Sequence, residues 1–169
     1  VHEAAPPMIG LYLDELEIGR VIPLGSHHFT RDAIVDFART YDPQPFHLDE
    51  EAGRTGPFGV LSASGWHTAA GWMKCYVATN QAAEAKLRAA GKTPAPLGPS
   101  PGFENLVWHK PVKPGDTITY TLTVTGKRAL ASRPGWGLLF SHSTGVNQDG
   151  DEVFAFDGKV MTPVRPASG

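Results

Sequence analysis

Cysteine is almost missing from this sequence of 169 residues: Cys75 stands alone, which excludes an internal disulfide and any cysteine-built zinc cage. An excess of positive charge is missing too. The formal net charge is −2 and only 19% of residues are charged, so nothing marks a surface for nucleic acid or anionic lipid. No uninterrupted apolar run is long enough to span a bilayer, and the start does not read as a signal peptide. Internal repeats, low-complexity tracts and linkers are absent, so residues 1–169 are expected to form one domain with a sizeable core. The expectation is a soluble protein of a reducing cytoplasm.

Proline, by contrast, is present where it has consequences. Tyr41-Asp42-Pro43-Gln44-Pro45-Phe46-His47 sets a carboxylate and an imidazole five residues apart. Each proline fixes its own φ and turns the preceding residue out of the α region, so the segment is expected to be non-helical, with Asp42 and Gln44 extended. A stiff bracket of this kind can aim an acid and a base at one small reactant, as general acid–base chemistry requires. The same residues would also suit a plain turn after a helix, with Asp42 capping locally and His47 at the surface.

Thr30 and Asp32 predict the start of a helix, by N-capping and by complementing the helix dipole. Ala33, Ile34, Phe37, Ala38 and Tyr41 recur at helical spacing up to the Asp42-Pro43 break. Asp49 to Ala52 predicts a short helical turn. From Ser64 to Val77 the residues are small or apolar on nearly every side, as in a helix enclosed by other structure. Ala82 to Ala90 predicts a second helix, stopped by Gly91, and residues 93–102 a Pro/Gly-rich loop. Phe103 to Lys110 then predicts a strand, and Pro111 to Asp116 a turn. Thr117 to Thr125 alternates threonine with Ile118, Tyr120, Leu122 and Val124, a strand with one apolar face. Leu138–Val146 and Val153–Met161 predict two more strands, joined through a hairpin turn at Asn147 to Asp151. Helices early and an antiparallel meander late make an α+β domain in which one sheet covers a buried helix.

In this order the segments resemble the MaoC-like dehydratases, which include the (R)-specific enoyl-CoA hydratases. The likeness covers about residues 18–162. It is carried by Asp42, Gln44-Pro45 and His47, by Phe58 and Gly65 at the family's spacing, and by Trp108 to Asp116 with its Pro-Val-x-x-Gly-Asp turn. The resemblance implies a hot-dog fold, a curved antiparallel sheet wrapped around one long central helix, and a homodimer with the catalytic pair near the subunit boundary. It implies Asp42 and His47 as the catalytic pair and the Gly65 N–H, at a helix start, as the oxyanion donor. Tyr41, Phe46, Phe58, Ser64 and Trp66 are the expected substrate-binding residues. No cofactor is implied beyond the coenzyme A of the substrate, and no metal. Two departures stand out. Ser64-Gly65 replaces the His-Gly of many members, and Met73 stands where some bacterial hydratases carry a serine that touches the catalytic water. The long 74–102 segment is expected to set substrate size.

The implied reaction is reversible hydration of a 2-enoyl-CoA to an (R)-3-hydroxyacyl-CoA, with branched or dicarboxylic acids as other possible substrates. A thioesterase on the same scaffold and a non-catalytic acyl-thioester-binding module are the alternatives. Among the remaining candidates, His67 reads as a hydrogen-bonded core residue, and Trp72 and Met73 as core. Tyr41 is expected to pack beneath Asp42. His27, His28, His109 and His142 lack ligand spacing. Arg54, Lys74, Lys110 and Lys113 could meet coenzyme A phosphates, but no glycine-rich cradle singles any of them out.

Overall fold

A long helix lies across one face of a five-stranded sheet, and the local sequence explains each piece. The computed structural model describes residues 10–167, so the first nine and last two residues of the expected domain lie outside it. A short 3-10 turn at Leu13–Glu15 leads to β1 (Val21–His28) and α1 (Arg31–Tyr41). Thr30 caps α1 as expected, its hydroxyl accepting from the Ala33 N–H at 3.2 Å. Two short helices follow, α2 (Pro45–Leu48) and α3 (Glu50–Thr55), then α4 (Gly65–Ala89) and the strands β2 (Gly102–Trp108), β3 (Thr117–Ala129), β4 (Trp136–Val146) and β5 (Glu152–Pro163). The sheet order is β1-β3-β4-β5-β2 with every pair antiparallel. A register irregularity in each pair, for instance at Val124/Gly126, lets the sheet bend. This is the hot-dog arrangement.

The alternation in β3 does what period-two patterning requires. Ile118, Tyr120, Leu122 and Val124 are all buried and meet Phe29, Ile34, Trp72, Cys75 and Phe154 in the core. The predicted turns also form: Asp116 N–H donates to the Lys113 carbonyl at 3.0 Å, and Asn147 N–H to the Asp151 carbonyl at 2.9 Å.

Two helical expectations need correcting. The stretches around 64–77 and 82–90 are one helix of 25 residues. The polar run Thr79-Asn80-Gln81 interrupts the apolar pattern but holds no Gly or Pro to break the backbone, and Thr79 docks its hydroxyl on the Leu24 carbonyl at 3.0 Å. Gly91 ends the helix as predicted: at φ +73° it takes the left-handed C′ position, with Gly91 N–H on the Arg88 carbonyl and Lys92 N–H on the Leu87 carbonyl. Nor is α4 enclosed on nearly every side. Trp66, Met73 and Val77 are exposed, so Met73 is not core, whereas Trp72 is. Among the described residues no helix is long and apolar enough to cross a membrane.

Candidate active site

The proline bracket divides its work. Asp42 ends α1 with φ −150° and ψ 67°, outside the helix, and Gln44 is extended at φ −79° and ψ 140°. His47, however, sits on a helical turn, contrary to the expectation of a wholly non-helical segment. Pro45 is the reason: at the first position of α2 its missing N–H has no intrahelical role, so proline starts this helix rather than preventing it.

The structure brings the expected acid and base together. His47 Nε2 lies 3.4 Å from Asp42 Oδ2, with the imidazole buried and the carboxylate about one-fifth exposed. His47 Nδ1 lies 2.6 Å from the Ser62 carbonyl oxygen. A carbonyl can only accept, so Nδ1 carries a proton, and Nε2 is the ring nitrogen that faces Asp42. The loop bearing Ser62 is pinned on both sides, by Ser62 N–H on the Phe46 carbonyl and Ala63 N–H on the Val112 carbonyl. Burial pushes the Asp42 carboxyl up, but hydrogen bonds from the Ser64 hydroxyl and the Gln44 amide, with the field of His47, outweigh it and leave its pKa below the ordinary value. The Gln44 amide donates to Oδ1 at 2.7 Å, leaving Oδ2 to face the imidazole. One water beside the pair is within reach of both atoms, and with Nε2 unprotonated it would give one hydrogen to each and turn its oxygen lone pairs outward.

Gly65 opens α4, where the first main-chain N–H groups have no intrahelical partner and the dipole favours negative charge. Ser64 is the N-cap of α4; its hydroxyl accepts from Trp66 N–H at 3.3 Å. The Trp108 indole lies flat against Gly65, donates from Nε1 to the Gly65 carbonyl at 2.9 Å, and occupies the space a Cβ would need. Glycine is required here for close approach.

The other expected binding residues differ in their support. Phe46 packs edge-on against His47 at 4.5 Å and Phe58 against Phe46 at 5.6 Å, a small aromatic wall beside the imidazole. Trp66 stands edge-on to Trp108 at 5.2 Å. Tyr41 does not pack beneath Asp42: it is 72% exposed and leans on Phe37, because the helix end turns it outward. His67 is buried as expected, but its Nδ1 has no hydrogen-bond partner among the described residues; its ring stacks on Phe37 instead, at 4.6 Å. Arg54 pairs with Glu51 and Lys110 with Asp151, so two of the four candidate cations are already engaged. His109 pairs with Glu152 and His142 with Asp157.

Residue patterns alone did not point to Ser62, which acts through its backbone carbonyl and so leaves no side-chain signal. They also missed the contact of Trp108 with Gly65; an aromatic at the end of a strand was the available hint. A cavity of about 460 Å³ lies between α4 and the sheet, bordered by Pro96, Leu97 and Gly98 of the long 74–102 segment, where the sequence places substrate room; its extent is what only the structure gives.

Comparison with known proteins bears on the family and the fold. Residues 17–135 match the model of the MaoC like domain. The chain is similar to a MaoC-like dehydratase from Rhodospirillum rubrum, with 36% identity, a TM-score of 0.73, and coverage of 93% of this chain and 99% of that one. The unliganded (R)-hydratase PhaJ1 of Pseudomonas aeruginosa shares the fold at 21% identity and a TM-score of 0.62, over 94% of this chain and 92% of that one. YdeM of Bacillus subtilis (strain 168), an uncharacterized protein, is 29% identical over 90% of this chain and 98% of its own length.

Proposed function

Since the chain belongs to the MaoC-like domain family, we propose that it is a hydro-lyase that adds water reversibly to a 2-enoyl-CoA, giving an (R)-3-hydroxyacyl-CoA. The observation that carries this reading is the orientation of His47, with Nδ1 on the Ser62 carbonyl and Nε2 on Asp42. With Nδ1–H committed to Ser62, Nε2 can accept a proton and Asp42 can accept another, so both hydrogens of one water are held. Water oxygen attacks C3 while one of its protons passes to the pair. The C2–C3 π electrons move onto the thioester carbonyl, whose oxygen gains negative charge facing the Gly65 N–H. The proton then goes from the pair to C2 as the carbonyl reforms. Water has been added across the double bond and the enzyme is restored. Dehydration follows the same path backward.

An oxyanion donor of this kind contributes about 3–4 kcal/mol, and the coupled pair shares its protons, so base and acid are roles of the dyad. Asp42→Asn and His47→Ala are each expected to fold normally and to lower hydration of trans-2-enoyl-CoA by about 10²–10⁴-fold. Turnover near the wild-type rate in either variant would remove the mechanism. Release of free thiol instead of hydroxyacyl-CoA would favour a thioesterase.

We read the protein as a cytoplasmic homodimer. Val107 and Trp108, both exposed on edge strand β2, are apolar surface of the kind that marks an interface. Light scattering giving twice the chain mass is the expected result; a monomer refutes it.

A further inference from the structure

We propose that the cavity beside α4 holds a bulky, wholly apolar acyl tail, so that the preferred thioesters carry about eight or more carbons and no distal carboxylate. This rests on the hydration reading and extends it to substrate class. Size is the first ground. At roughly 30 Å³ for each water-sized group, about 460 Å³ takes on the order of fifteen heavy atoms, far more than a four-carbon acyl group supplies. Shape is the second: the α4 residues that line the cavity run from Trp66 to Glu84, about 27 Å of helix at 1.5 Å per residue.

The walls supply the third ground. Trp72 stacks on Tyr76 at 4.9 Å and meets Phe156 edge-on at 4.7 Å, and Phe103 meets Phe156 at 6.1 Å. These rings brace one another on a largely apolar wall, in which Trp72 Nε1 and Asn80 Nδ2 are the buried donors without a partner among the described residues. Pro96–Gly98 and Gly10–Leu11 also line it, their segments tied by the Ala95 N–H on the Gly10 carbonyl at 3.0 Å, with Gly98 seated against the Met161 carbonyl. Charge is the fourth ground. Glu84, which faces Arg88 at 3.9 Å, and Lys159, which holds Glu104 at 2.9 Å, are the charged residues bordering the cavity, so among the described residues no unengaged cation in its lining waits for a distal carboxylate.

Each buried methylene is worth about fourfold in affinity, so four more of them should be felt well beyond tenfold. The test is calorimetric titration of the full chain with octanoyl-CoA, butyryl-CoA and glutaryl-CoA, all saturated and so not turned over by hydration. Octanoyl-CoA is expected to bind at least tenfold more tightly than either. Val160→Phe, which fills the channel from β5, should cut the octanoyl-to-butyryl ratio at least tenfold. Leu97→Lys, at an exposed position that tolerates a charge, should cut it about threefold. Equal binding of octanoyl-CoA and butyryl-CoA, a ratio unmoved in both variants, or tighter glutaryl-CoA binding would overturn the proposal. A parallel assay with trans-2-octenoyl-CoA separates the two readings. No hydration together with the expected binding ratios would sink the catalysis and leave the tail site standing.

Discussion

The two flanks of α4 are built in opposite ways. Toward β1, β3 and α1, the helix presents His67, Gly71 and Cys75 to a filled interior. A Cβ added at Gly71 would come within 2.8 Å of the Tyr120 hydroxyl and 3.1 Å of Phe29. Toward β2 and β5, it presents Trp66, Ala69, Met73 and Tyr76 to the cavity. The first flank fixes where the helix lies and how its N-terminus meets Asp42 and His47. The second is left unfilled, which costs dispersion contacts and leaves space for a substrate. Packing and function are divided between two sides of one helix.

Among the changes that probe the two flanks, the largest effect is expected where they meet. Gly65→Ala should lower the hydration rate by about 10²–10³-fold, because the new Cβ meets the Trp108 indole and moves the amide from its place. Unfolding temperature should fall as well, because crowding at this contact disturbs the hydrogen bond from Trp108 to the Gly65 carbonyl and the packing of Trp108 on Trp66. Stopped-flow turnover beside thermal melting checks both halves.

Acid should reveal the packed flank next. Burial, with His27 nearby, holds the His67 pKa down to about 4, among Phe29, Phe37 and His27. His67 is therefore neutral in the fold, while the unfolded chain takes up its proton near pH 6.5. Stability is complete above that pH and falls as the pH drops toward 4, by about 2–3 kcal/mol for this group. Urea titrations at about pH 7 and about pH 4.5 should show this loss, and His67→Phe should remove most of it. An unchanged slope in that variant would mean other groups, His27 first, carry the acid sensitivity.

The smallest effects come from matched small-residue substitutions. Gly71→Ala should cost about 1–3 kcal/mol by overpacking, whereas Ala69→Leu, facing the cavity two positions earlier, should change stability by less than about 1 kcal/mol. Equal costs in urea denaturation would erase the distinction between the flanks.

Features set by local rules were legible before any coordinates. Thr30 as a cap, the alternation of Ile118 to Val124, the turns at Lys113–Asp116 and Asn147–Asp151, and the Gly91 stop all depend on a few neighbouring residues, and all form as read. Errors arose where one local rule was given too much authority. Polar Thr79, Asn80 and Gln81 looked like an interruption of α4, yet a helix breaks on backbone geometry rather than on polarity. Pro45 looked like a helix breaker but occupies the one helical position that suits it. Met73 and Tyr41 were assigned inward directions that composition cannot supply.

For the candidate site, the chain order by itself determined the chemical inventory: a carboxylate and an imidazole held five residues apart, and a glycine at a helix start. Tertiary structure alone decided that Ser62 would fix the proton on His47, that Trp108 would lie against Gly65 from 43 residues away, and which flank of α4 would stay open. The physical reason is range. Caps, turns and alternation are written in neighbouring φ/ψ preferences, whereas a carbonyl's direction or an unfilled volume is the sum of many distant contacts and belongs to no single segment.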